Sequence, residues 1–249
     1  MLYQFFKTAL FRPVVKYLMR ATIEGGDNIP ATGGALLAIN HPATSETYVV
    51  PAMIERRLVF PAKAELFKGN RGLGSKGVAW FLKAVGQVPL DRSGGRTSLE
   101  GLRPVLDVLA SGGLVGIFPE GTRSPDGRLY RGKTGVARMA LAAGVPVVPI
   151  AVSNTQTVRR LGIPWVSRPR IAVGEPLDFS ASAGLAEDPA TIRRVTDEVM
   201  AAIQRLSGQQ YVDVYASSVK HGAISAEEAE RHVLPRPGAT GPVPPAANP

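Results

Sequence analysis

His41 and Glu46 stand five positions apart in the stretch AINHPATSE. An imidazole beside a carboxylate is the basic unit of general-base catalysis. The acid fixes the imidazole tautomer and stabilises the imidazolium that forms. Five residues of a regular helix leave two side chains about 140° apart, so the pair shares no helical face. The two groups meet only if His41 precedes the helix and Glu46 leans back toward the helix start, as helical side chains do. Pro42 suits the first position of such a helix. A helix start disfavours a protonated His41 and Glu46 favours it, a balance that suits a neutral base. A buried histidine at a strand end beside a solvated glutamate has the same spacing.

A second group lies in FPEGTRS, residues 118–124. Glu120, Gly121, Thr122 and Arg123 put a carboxylate, a flexible peptide, a hydroxyl and a guanidinium directly after an apolar run. Ligands of open α/β sheets gather at such strand ends, and arginine suits bidentate phosphate recognition. Arg92 in LDRS and Lys63 in AKAELF supply further cations near other strand ends. The chain has no cysteine, which excludes thiol nucleophiles, thiolate metal ligands and disulfides.

Two glycine patterns lack the context their chemistry needs. GRLYRGKT, from Gly127, matches a phosphate loop, but turn-forming TRSPD precedes it instead of a strand. GLGSKG, from Gly72, matches a dinucleotide fingerprint, yet FKGNR stands where the strand belongs.

The elements that must position these groups alternate. Strand-like runs fall at 35–39, 58–62, 86–90, 114–118, 146–152 and 170–174. Helical patterns fall near 42–56, 73–85, 99–111, 133–143 and 189–206. In the last, Asp188 reads as the N-cap, with Pro189 at the first helical position. The alternation predicts a single αβ sandwich: a mostly buried mixed sheet flanked by helices.

The ends differ from this core. Residues 1–23 carry Lys7, Arg12, Lys16 and Arg20 among apolar residues and no acid. Charges interrupt the segment too often for a bilayer span, which takes about 20 mostly apolar residues. It also lacks the apolar core and cleavage site of a signal peptide. It reads as an amphipathic basic helical element for the membrane interface, divided in two by Pro13. Residues 24–207 read as one domain that would carry the catalytic groups. Residues 208–234 form an extension with a short helix capped by Ser225. Residues 235–249, with six prolines, cannot build a core and read as a disordered tail.

The ordered set of Asn40-His41-x4-Glu46, Leu90-Asp91-Arg92, FPEGTRS and VPVVPIAV (145–152) resembles the glycerolipid acyltransferase family. Its best-known member type is 1-acylglycerol-3-phosphate acyltransferase. The lead-in GGDNIPATGGALLAINH is also similar, so the resemblance spans about residues 20–180. It implies that His41 is a general base oriented by Glu46. The acceptor hydroxyl would attack the thioester of acyl-CoA or acyl carrier protein directly, without an acyl-enzyme. Arg92, Glu120, Gly121, Thr122 and Arg123, with Lys63 nearby, would bind the acceptor phosphate. Asn40 and Pro149 would shape the pocket. No cofactor or metal is implied. The family usually has aspartate where this chain has Glu46, and the extra methylene moves the carboxylate by about 1.5 Å. The first-turn amides of residues 43–45, or Lys63, are candidate donors to the thioester oxyanion.

The formal charge of +9 points to anionic partners. The resemblance points to a lysophospholipid acceptor and an anionic membrane surface, at the cytoplasmic face of the cell membrane. Other acceptors with the same chemistry are glycerol 3-phosphate, a monoacylglycerol, a lysophospholipid or a lipid sugar. A non-catalytic basic lipid-binding protein is the reading from another class. Nucleic acid is disfavoured, because aromatics make up only 6% of the chain and base stacking has little to work with.

Overall fold

The computed structural model describes residues 6–63, 87–90, 99–160 and 163–239. The described chain runs β1 (Thr22–Glu24), β2 (Ala35–Ile39), α1 (Glu46–Met53), β3 (Leu58–Val59), β4 (Pro61–Lys63), β5 (Val88–Leu90), α2 (Leu99–Ala110), β6 (Leu114–Ile117), β7 (Leu129–Tyr130) and α3 (Gly135–Ala143). It continues with β8 (Val147–Ser153), β9 (Val158–Arg160), β10 (Ile163–Trp165), β11 (Arg170–Val173), α4 (Pro189–Ser207), β12 (Tyr211–Val212), α5 (Ala216–Lys220), α6 (Ala226–Glu230) and β13 (Val233–Leu234).

Six strands form the central sheet in the order β1-β11-β8-β2-β6-β3. Strands β8, β2, β6 and β3 are parallel. Strand β11 runs antiparallel to β8, and β1 pairs parallel to β11. The expected mixed αβ sandwich is therefore the architecture observed. Every residue of β2 is buried, as is β8 up to Val152, which is why both read as unbroken apolar runs. The period of two divides their side chains between two cores. Leu36, Ala38, Val115 and Val147 meet α2, α3 and α4. Leu37, Ile39, Leu114, Val148 and Ile150 meet α1 and the N-terminal element.

Helix α4 starts where its pattern predicts, with Asp188 Oδ2 accepting from the Thr191 amide at 2.7 Å. The Ser225 cap is also present, accepting from the Glu228 amide at 3.0 Å. The predicted 73–85 helix lies outside the described residues. The predicted strand 58–62 breaks at Phe60. Its two halves, β3 and β4, belong to different sheets, and β4 pairs with β5. Pro61 has no amide hydrogen to continue a ladder, and Gln87 takes the Phe60 amide at 2.8 Å.

The N-terminal element departs from expectation in two ways. Pro13 does not divide it: helical backbone continues through Pro13, with wide turns over Phe6–Phe11 and Val14–Leu18. Wide turns accommodate a ring that would otherwise clash with the preceding turn. Lys7 does not face outward: it is 5% exposed and donates to the Glu55 and Arg56 carbonyls at 2.8 and 2.9 Å. These carbonyls follow the C-terminal end of α1, where a cation is favoured. Burial first, and Arg12 second, pull the Lys7 ammonium down to about 8. Val15 packs into the α1 core. Phe11, Tyr17 and Leu18 are exposed, as are Lys16 and Arg20. Among the described residues, no helix is long and apolar enough to cross a membrane.

The described residues after α4, 208–239, are folded onto the domain. They include the first five residues of the expected disordered tail, where the Pro235 carbonyl accepts from Gln204 Nε2 at 3.1 Å. The rest of that tail, 240–249, lies outside the described residues. Strand β12 pairs with β7 and β13 in a second, three-stranded sheet. Tyr130, Val212, Val214, Ala216 and Ala229 form its core.

Candidate active site

His41 follows β2 by two residues, at the carboxyl end of the sheet. Its Nδ1 lies 3.2 Å from Glu46 Oε2, so the two groups meet despite their unfavourable helical spacing. The reason is local. Helix α1 begins at Glu46, not at Pro42, and residues 42–44 bend so that the His41 ring lies over the first turn. Glu46 Oε1 accepts from the Ala43 amide at 2.9 Å, as the acid of a capping box does. The same oxygen accepts from Thr155 Oγ1 at 2.5 Å. Ser45 Oγ donates to the Thr155 carbonyl, tying the bend to the end of β8.

Glu46 is fully buried, whereas the His41 side chain is 14% exposed. A buried carboxylate needs donors, and Glu46 has three in Ala43, Thr155 and His41. When His41 Nδ1–H donates to Glu46, Nε2 keeps its lone pair for a substrate proton. Phe118 stacks on the imidazole at 4.0 Å, and Phe60 stacks on Phe118 at 5.4 Å. The Phe60 ring lies against Gly116, where a β-carbon would come within 2.6 Å of it. Glycine in β6 is thus what admits the aromatic column.

The 118–124 loop is bonded to the His41 backbone. Glu120 Oε1 accepts from the His41 amide at 2.9 Å and Oε2 from the Tyr130 amide at 3.1 Å. The Ser124 amide donates to the His41 carbonyl at 2.8 Å. Glu120, expected to hold the acceptor phosphate, is 1% exposed, and both its oxygens are engaged by the chain's own backbone. Burial pushes its carboxyl up to about 7, against the two amide hydrogen bonds that lower it. Gly121 adopts φ +75°, a conformation glycine takes without strain. Arg123 donates to Thr44 Oγ1 at 2.9 Å. Thr122 Oγ1 lies 3.4 Å from Lys220 Nζ.

The structure thus gathers Asn40, His41, Glu46, Gly121, Thr122 and Arg123 at the ends of β2 and β6. Pro149 lies elsewhere: its carbonyl accepts from Gly174, and its ring faces Gly174 near Leu206 of α4. That is the sheet face opposite the His41–Phe118–Phe60 column. Lys63 ends β4, and only its backbone is described. Arg92 lies outside the described residues. The Ala43 amide is engaged by Glu46, which leaves Thr44 and Ser45 as the first-turn amides with no hydrogen-bond partner among the described residues.

Several residues at the site carry no signal in the local pattern. Lys133 lies across Gly121, where a β-carbon would meet its Cδ at 2.8 Å. It belongs to the GRLYRGKT stretch, so the lysine reaches the loop although no phosphate-loop fold surrounds it. Thr155, 109 residues from Glu46, is found only through the sheet.

A family model described as Acyltransferase matches residues 20–153, and the chain belongs to that family. Among its relatives is chloroplastic 1-acyl-sn-glycerol-3-phosphate acyltransferase LPAT1 of Arabidopsis thaliana, 31% identical over 57% of this chain and 38% of that protein. The 1-acyl-sn-glycerol-3-phosphate acyltransferase of Bacillus subtilis (strain 168) is 31% identical over 61% of this chain and 70% of its own. The chain spans well under half the length of the chloroplastic relatives it matches. The crystal structure of PlsC, the 1-acyl-sn-glycerophosphate acyltransferase of Thermotoga maritima, superposes with a TM-score of 0.57 at 24% identity. The match covers 80% of this chain and 79% of that one, a likeness of fold.

Proposed function

We propose that this chain transfers a fatty acyl group from an acyl thioester to a hydroxyl of 1-acylglycerol 3-phosphate, giving phosphatidic acid. The observation that carries the reading is the His41–Glu46 pair, 3.2 Å apart, beside the loop bearing Arg123, with Lys133 lying across that loop at Gly121. The names of the relatives support the acceptor.

His41 Nε2 takes the proton of the acceptor hydroxyl while its oxygen attacks the thioester carbonyl carbon. The carbon–sulfur bond breaks, and the thiolate leaves with the proton from the imidazolium. Glu46 holds the imidazole in the required tautomer throughout. The Thr44 and Ser45 amides are the donors for the transient oxyanion, whose stabilisation by such groups is worth several kcal/mol. Arg123, Thr122, the Gly121 backbone and Lys133 hold the acceptor phosphate, with Arg92 as a further cation. Acyl-CoA or acyl carrier protein serves as donor. No metal or cofactor takes part in this route.

The exposed Phe11, Tyr17 and Leu18, with Lys16 and Arg20 nearby, support peripheral attachment to an anionic cytoplasmic membrane surface. Such a site would draw its lipid acceptor from the bilayer.

The test is a labelled-acyl transfer assay on the purified full chain, with both donors and a panel of acceptors. Phosphatidic acid should form from 1-acylglycerol 3-phosphate, and His41→Ala should abolish it. Full activity in His41→Ala overturns the mechanism. A clear preference for another acceptor overturns the substrate.

A further inference from the structure

Asn40 immediately precedes His41 and is 1% exposed. Its Oδ1 accepts from the Val152 amide at 2.6 Å, which fixes the orientation of the side-chain amide. Its Nδ2 must then donate, and does so to the Val152 carbonyl at 3.1 Å and to Gln209 Oε1 at 2.8 Å. Because Gln209 uses its oxygen there, its Nε2 is left as a donor, and it donates to the Gly127 carbonyl at 2.5 Å. Gly127 adopts φ +87°, and its amide donates to Ser124 Oγ at 2.9 Å. Ser124 in turn donates through its backbone to the His41 carbonyl. A single side-chain amide therefore bridges the residue before the base and the loop that bears Gly121, Thr122 and Arg123.

Gln209 sits just past the C-cap Gly208 of α4, outside the 20–153 span of the family match. The strand that follows anchors it. Tyr211 and Val212 form β12, which pairs with Leu129 and Tyr130 of β7. Tyr130 supplies the amide that holds Glu120 Oε2, and Glu120 Oε1 holds the His41 amide. The segment after α4 thus reaches the His41 backbone by two routes, one through Asn40 and one through Glu120.

We infer that Gln209 is a positioning residue for acyl transfer: its amide, bridging Asn40 and Gly127, fixes the distance between the His41 base and the acceptor-binding loop. This rests on the acyl-transfer reading given above. General-base catalysis depends steeply on that distance, since about 1 Å of misplacement can cost on the order of a hundredfold in rate. Gln209 is half-buried, so its loss leaves the core packing in place.

The test compares Gln209→Leu, Asn40→Ala and the double variant in the full chain, using transfer kinetics and thermal melting. Gln209→Leu should lower kcat about tenfold, leave the donor KM within about twofold and keep a cooperative melt. In the Asn40→Ala background, where the bridge is already broken, Gln209→Leu should cost less than about twofold more, a non-additivity expected only of coupled residues. Gln209→Glu keeps an acceptor for Asn40 but sets a carboxylate oxygen against the Gly127 carbonyl, so it should lose kcat as Gln209→Leu does, and wild-type kcat in this variant also overturns the inference. Unchanged kcat in Gln209→Leu, or full additivity with Asn40→Ala, overturns the inference. If His41→Ala retains activity, the acyl-transfer reading fails instead, so the two failures are separable.

Discussion

Glu46→Gln isolates the role of the buried carboxylate, because glutamine matches it in shape and removes only the charge and one acceptor. Glu46 Oε1 accepts from Ala43 and Thr155, so the glutamine oxygen must take that position. The amide nitrogen then faces His41 Nδ1 across the 3.2 Å gap. An N–H pointing at Nδ1 forces the imidazole proton onto Nε2 and removes the lone pair that accepts the substrate proton. General-base catalysis typically contributes about 10²–10⁴-fold. That corresponds to roughly 3–5 kcal/mol of barrier. The expected result is a fall in kcat of about a thousandfold, with acceptor KM within about threefold. The melting temperature should hold or rise, since a neutral amide replaces a fully buried charge. Glu46→Asp retracts the carboxylate by about 1.5 Å, and its kcat should fall between those of wild type and Glu46→Gln. A Glu46→Gln enzyme with kcat within about fivefold of wild type would refute the tautomer argument.

Three further outcomes follow from the same geometry. Arg123→Ala and Lys133→Ala should each raise KM for 1-acylglycerol 3-phosphate about tenfold while leaving an uncharged monoacylglycerol unaffected; equal effects on both acceptors would remove these residues from phosphate binding. Burial raises the Glu120 carboxyl from 4.5 to about 7, so between those pH values the folded chain holds a proton that the unfolded chain releases. This contribution to stability is therefore full below about pH 4.5 and lost as pH rises through about 7. Glu120→Gln should flatten that slope in denaturant titrations, while lowering stability by about 1–3 kcal/mol because one amide loses its acceptor. Replacing Tyr17 and Leu18 together by aspartate should cut partition onto anionic vesicles about tenfold, and unchanged sedimentation with vesicles would rule out this surface.

The sequence by itself determined most of the longer strands and helices among the described residues, though not the break at Phe60 or the start of α1 at Glu46, and it picked out the candidate site residues. Apolar runs such as 35–39 encode strands buried on both faces, and the caps at Asp188 and Ser225 are local hydrogen bonds between residues three apart. Residue types at strand ends likewise marked His41, Glu46 and Arg123, because chemistry-bearing side chains are legible wherever they occur. Tertiary structure decided how those residues are used. Glu46 reaches His41 because Thr155, 109 positions away, holds the bend at the end of β8. Glu120 turns inward because the Tyr130 amide is brought beside it by β7, and Lys7 turns inward because the end of α1 offers it two carbonyls. Pro149 leaves the site because strand alternation sends it to the α4 face, and Gln209 enters because the chain leaving α4 passes beside the end of β2. Each outcome depends on a partner far away in the chain, chosen by sheet order and register, and no local periodicity encodes which partner that is.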